Sequence, residues 1–170
     1  LCCHHQNSVI HAILHVLRCF DDDNITHVDG SVDPVRDKEI IDYELQLKDL
    51  ETIESRISKV QKQAQTGGDK NAKLAYDVLS KYKEALEQGK SARTVSFETK
   101  DEQKIARELF LLTSKPVMYI CNVDEKSALN GNKYVEQVRE AVKDEDAEIL
   151  IVAAKIESEI AEFETYEERQ

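Results

Sequence analysis

The chain has 170 residues, 41% apolar and 34% charged, with a net charge of −11. It contains no run of about 18 apolar residues, so no transmembrane helix is expected, and Leu1–Gln6 does not read as the start of a signal peptide. Cys2, Cys3, Cys19 and Cys121 are too few and too irregular for a disulfide framework, which excludes a small cross-linked secreted scaffold and points to reduced cysteines in a cytoplasmic protein.

Taken in order, Leu1–Val9 shows no periodicity. Its Cys2-Cys3-His4-His5 run lacks the two-residue gaps of a zinc site, so no metal ligands are assigned. Ile10–Phe20 reads as a buried strand. His11 and His15 stand four apart, but no Glu follows His11 and no third ligand is visible, so both are taken as structural. Asp21–Asn24 reads as an acidic loop at a strand's carboxyl end, without the alternation of a calcium loop.

Asp33-Pro34 marks a turn, after which a long helix is predicted over Asp37–Gln65, about 43 Å at 1.5 Å per residue. Its apolar positions are Ile40, Tyr43, Leu47, Leu50, Ile53, Ile57, Val60 and Ala64. Thr66–Asp69 breaks the pattern, and Ala72, Ala75, Leu79, Tyr82 and Leu86 resume it. Gly89 ends the run as a C′ residue would. Two such stripes describe an antiparallel helical hairpin over 37–90, a coiled-coil arm inserted into an α/β body over 1–36 and 91–170.

The charge is uneven. Ser55–Arg93 holds nine basic and four acidic residues, +5 against −16 elsewhere. Arg56, Lys59, Lys62, Lys70 and Lys73 are therefore candidate contacts to a polyanion, against the plainer reading of a solvated helix surface.

Ser91–Thr99 is expected to be extended and Asp101–Leu112 to be an amphipathic helix with Ile105, Leu109 and Leu112 inward. Val117–Cys121 is a continuous apolar run after Pro116, a strand expected to be buried on both faces. A loop at Asn130–Asn132 precedes a helix over Tyr134–Lys143. A strand over Ala147–Ala153 follows, then an acidic helix over Ile156–Glu168. Ligands of open α/β sheets bind beyond the carboxyl ends of strands. Asn122–Glu125 and Ala153–Lys155 sit at two such ends, as in a βαβ unit holding a planar ligand.

These residues resemble the YchF family of P-loop NTPases, the Obg-like ATPases, from roughly Ala12 to Gln170. The resemblance rests on Leu14–Pro34 (LHVLRCFDDDNITHVDGSVDP), Thr113–Glu125 (TSKPVMYICNVDE) and Ala153–Glu159 (AAKIESE). The family's helical arm falls between these blocks. GTPases generally read the base with Asn-Lys-x-Asp. Here Asn122 matches the Asn, Val123 stands for the Lys and Glu125 for the Asp, so guanine selectivity is not expected. Ala153, Ala154 and Lys155 match the second base-facing loop, though Ala153 stands where Ser is usual. The resemblance implies ATP, or GTP, with Mg²⁺ in a full-length parent, and a ribosome or ribosomal RNA as the arm's partner. No DNA or membrane partner is implied.

The chain has no Gly-x-x-x-x-Gly-Lys-[Ser/Thr] and no Asp-x-x-Gly. The family's C-terminal TGS domain has no counterpart, and Leu1–His11 departs from the family pattern. The expected fold is thus α/β: part of a P-loop NTPase domain, Rossmann-like and mostly parallel, with an inserted hairpin. A fragment covering the second half of that domain would not hydrolyse nucleotide by itself, and no catalytic residue is assigned. The alternative is a non-catalytic RNA- or protein-binding module built on the hairpin.

Overall fold

The computed structural model describes residues 11–22, 31–65 and 69–162. Cys2–His5, Asp23-Asn24, the Gly67-Gly68 turn and the acidic stretch beyond Glu162 fall outside them. Three strands, β1 (Ile13–Arg18), β2 (Val117–Asn122) and β3 (Glu148–Val152), form one parallel sheet in the order β1-β2-β3. Five α-helices are described: α1 (Pro34–Gln65), α2 (Lys70–Glu87), α3 (Lys100–Glu108), α4 (Lys133–Ala141) and α5 (Ala154–Ala161). The class is α/β, as expected. Two compact units result, one of Ala12–Glu39 with Val117–Gln170, the other built on Ile40–Pro116.

In the sheet unit, β1 and β2 pair from Ile13↔Val117 to Arg18↔Asn122. The period-two alternation sends Leu17, Val117, Tyr119 and Cys121 to one face, where Tyr134, Val135 and Val138 of α4 cover them. The other face corrects the expectation of strands buried on both sides. Leu14 is 62% exposed and Val16 61%, and Leu150 of β3 is also exposed. Only one layer of helix covers this sheet among the described residues, so the strands stay apolar on a face that nothing here buries. β1 is also shorter than the predicted Ile10–Phe20.

His11 is exposed, whereas His15 lies buried within β1, its ring 5.6 Å from that of Tyr119. His15 lies in β1 and His11 two residues before it, so the two do not share a helical turn. Beside the Tyr119 ring, Lys38 in the second turn of α1 is buried with its Nζ 2.8 Å from Glu145. Glu145 also accepts a 2.8 Å bond from the Tyr119 hydroxyl. A buried ammonium is tolerable only with such partners.

The start of α1 comes from Asp33, whose carboxylate accepts from Arg36 N, and from Pro34, whose fixed φ suits a first helical residue. In the helical unit, Gln46 bonds Gly89 O and Lys83 pairs with Glu54. Sequence positions that rise in α1 meet positions that fall in α2, so the pair is antiparallel, as predicted. Asp69 caps α2 through bonds from Asn71 N and Ala72 N. Gly89, at φ 71°, closes it in a Schellman motif, with Lys90 N on Ala85 O and Gly89 N on Leu86 O.

The hairpin does not stand alone. Ile53, Val78, Leu79, Tyr82 and Leu86 share one core with Ala92, Ala106, Leu109 and Leu111. Ser91–Thr99, read as returning to the body, thus groups with the hairpin together with the residues up to Pro116, a boundary different from 37–90. That span holds a 3₁₀ turn at Ala92–Thr94 and α3, which starts at Lys100, one residue before the predicted Asp101, because Thr99 and Glu102 form a reciprocal capping box. Of the residues predicted inward, Leu109 is buried but Leu112 is only half-buried, and Leu111 is buried instead. Conversely Ile40, Tyr43 and Leu47, placed on the packed stripe of the first helix, are exposed.

Candidate functional site

The candidate site lies at the carboxyl ends of the strands. β2 ends in Asn122, whose side-chain Oδ1 accepts a 3.1 Å hydrogen bond from Ala154 N, the first residue of α5. Val123 N donates to Val152 O at 2.9 Å, continuing the ladder past the strand. On the other side Cys19 N donates to Asn122 O at 2.8 Å. One asparagine therefore joins the loops that follow β2 and β3, and its backbone ties in the end of β1.

A second asparagine does the matching work for α4. Asn132 Oδ1 accepts from Tyr134 N and Val135 N, while its Nδ2 donates to Cys19 O at 2.7 Å. The close approach needs Gly131, which sits at φ 73°; a Cβ there would meet Val135 Cβ at 3.3 Å. The Tyr134 hydroxyl donates to Asp21 at 2.6 Å, and this bond pushes its pKa up. Sequence reasoning placed a glycine loop here but missed Asn132. Its signal was the N-cap position, an Asn directly before the periodic residues of a helix.

The six predicted base-loop residues divide. Glu125, which opens a 3₁₀ turn over Glu125–Ser127, is exposed, as are Ala154 and Lys155 at the start of α5. Asn122 is partly buried and acts through the bond above. Val123, at 3% exposure, and Ala153, at 7%, turn their side chains into the core beneath the sheet. Their backbone borders the loops, but their side chains do not face outward. At the position where the usual motif has Lys, the Val123 side chain packs in the core.

These residues fit the base end of a nucleotide: an asparagine fixing two adjacent loops, with a carboxylate and an amine exposed on them. They do not fit the phosphate end. No glycine-rich phosphate loop exists in the chain, and among the described residues no three His, Cys, Asp or Glu cluster to hold a metal ion.

Of the basic residues on the hairpin, Lys81 is paired with Glu102 at 3.0 Å and Lys83 with Glu54 at 2.9 Å, the latter bond raising the Lys83 pKa. Arg56, Lys59 and Lys62 on α1 and Lys70 and Lys73 on α2 are all exposed. Sequence reasoning also missed Asp49. It is buried inside α1 and accepts from Leu112 N, Thr113 N and Thr113 Oγ1 at 2.6–2.7 Å.

No protein-family profile matches the chain. It is 52% identical over 163 residues to the ribosome-binding ATPase YchF of Bacillus subtilis, spanning 95% of this chain and 44% of that protein. To the protein of the same name from Escherichia coli O157:H7 it is 45% identical, over 92% of this chain and 42% of the relative. Obg-like ATPase 1 of Rattus norvegicus is 41% identical, over 96% and 42%. The solved structure of the Schizosaccharomyces pombe YchF GTPase superposes with a TM-score of 0.80 at 30% identity, over 94% of this chain and 44% of that one. The chain thus spans less than half the length of the curated relatives it matches, and over that span it belongs to the YchF family of Obg-like ATPases.

Proposed function

We propose that this chain supplies the base-recognition half of an ATP-binding domain in a cytoplasmic, ribosome-associated protein, with the helical arm making the ribosome contact. The observation that carries the nucleotide reading is the Asn122 Oδ1 to Ala154 N bond. It joins the loops beyond two parallel strands, where such sheets bind ligands. Glu125 stands where a guanine-reading Asp would, and its longer side chain does not reproduce that two-bond geometry, so ATP is favoured and GTP is the second ligand.

The bare apolar face of Leu14, Val16 and Leu150 supports the fragment reading. A sheet of this kind is normally covered on both sides, and the relatives carry more than half their length beyond the matched span. Mg²⁺ and the phosphates would be held by that remainder. Phosphoryl transfer relies on positioning and charge stabilisation by such groups, so this chain alone should not hydrolyse ATP.

The test is a chimera in which residues 12–170 replace the matching span of the Bacillus relative. It should bind ATP, and Asn122→Ala should weaken that binding at least tenfold while the fold persists by circular dichroism. A folded chimera that ignores ATP, or an Asn122→Ala form that binds it unchanged, defeats the nucleotide reading. The arm is tested separately in the same chimera. Lys62→Glu, Lys70→Glu and Lys73→Glu together should release it from ribosomes in a salt-dependent sedimentation assay, since phosphate contacts exchange with counterions.

A further inference from the structure

The exposed cations of the helical unit are not spread evenly along the hairpin. Arg56 and Lys59 of α1 stand on the rim of an open groove of about 390 Å³ between α1, α2 and α3. Its floor is aliphatic: Val60, Ala75, Leu79, Ile105 and Leu109. The neighbouring side of α3 is cationic too. Lys100, Lys104 and Arg107 line a second hollow of about 500 Å³, and Glu108 borders both. Lys100, Lys104 and Arg107 recur at steps of four and three, so they share one stripe of the helix. No ion pair among the described residues engages any of these five cations, in contrast to Lys81 and Lys83. Glu108 is the one acid on the two rims, which leaves the surface strongly positive.

We propose that this groove is a docking site for an acidic amphipathic helix of a partner protein. The aliphatic floor would take the partner's apolar side chains and the five cations its carboxylates, the helix-in-groove mode of recognition. Charge alone would equally suit RNA. The floor argues otherwise: single strands gain from aromatic platforms, and no aromatic side chain lines either hollow. An aliphatic trough flanked by unpaired cations matches a ligand that is apolar on one side and anionic on the other. The site is distinct from the base loops and does not depend on nucleotide binding.

The probe is a fluorescein-labelled 15-residue peptide with Leu at helical spacing of three and four and Glu at most other positions. Its partners in the assay are the same peptide with every Leu replaced by Ser, and a 15-mer oligouridylate. Fluorescence anisotropy with the 170-residue chain should show the Leu peptide binding at least tenfold more tightly than either control. The Arg56→Glu, Lys104→Glu double variant, with both changes on exposed positions, should lose at least tenfold for the Leu peptide with its circular dichroism unchanged. If the Ser peptide or the oligouridylate binds as tightly as the Leu peptide, the surface reads charge alone and the proposal fails. It fails equally if the Leu peptide does not bind, or binds the folded double variant unchanged.

Discussion

Asp49 sits at 2% exposure in the middle of a helix, and three donors account for it. Thr113 passes the connection on, its Oγ1 also accepting from Ala92 N at 2.9 Å. Asp49→Ala would strand the buried Thr113 N–H, the partly buried Leu112 N–H and a hydroxyl, each costing up to about 1–3 kcal/mol when unsatisfied. The variant should lose about 3 kcal/mol or more in urea unfolding, while Thr113→Val, which strands Ala92 N but leaves the Leu112 and Thr113 N–H bonds to Asp49 in place, should lose about 1–3 kcal/mol. A smaller loss from Asp49→Ala than from Thr113→Val would show that the backbone bonds to Asp49 contribute little. Glu102 gives a pH dependence. The bond from Thr99 N, then those from Lys81 Nζ and Thr99 Oγ1, bring its carboxyl down to about 2. A folded pKa below the unfolded one stabilises at higher pH, and that stabilisation is lost as pH falls from about 4.5 towards 2. The gap in melting temperature between the chain and Glu102→Gln should be open at pH 7 and closed near pH 2. A gap independent of pH would place the effect elsewhere.

At the scale of elements, α2 begins with Lys70 and carries no acid in its first turn. A cation there opposes the helix dipole. Lys70→Glu should therefore raise stability by about 0.3–1 kcal/mol, even as it weakens the arm's proposed ribosome contact. A fall in melting temperature would show that Lys70 has a structural partner. Elements governed by local signals were legible in the sequence. The β2 run between Pro116 and Asn122 and the glycine stop at Gly89 both rest on nearby residues. What was not legible depends on distant ones. Asp49 meets partners more than sixty positions away, and nothing in a helical pattern announces an acid that faces inward. The same limit misplaced Ile40, Tyr43 and Leu47: their spacing gave a stripe, but whether a neighbour covers it is a tertiary fact. Val123 was assigned to the base site by alignment with a motif position, whereas strand alternation sends its side chain to the core.

For the whole molecule, the uncovered face of the sheet has a practical outcome. Leu14→Glu with Val16→Lys places charge where the chain already meets water, so folding should survive and self-association should fall in analytical ultracentrifugation. Loss of the native circular dichroism spectrum would mean that the face is buried after all. The opposite face carries Cys19 and Cys121, both fully buried at the centre of that core. Their mutual hydrogen bond, and then burial, drive the Cys19 pKa far up, while the same bond holds that of Cys121 down. Cys19 follows the end of β1 and Cys121 lies in β2, so reagent can reach the pair only when the sheet comes apart. With Cys2 and Cys3 replaced by serine, alkylation of the remaining two thiols becomes a clock for that opening. Both should react together, at a rate set by global unfolding and accelerated in step with urea. If one thiol is modified well before the other, the strands part in sequence rather than as one cooperative body.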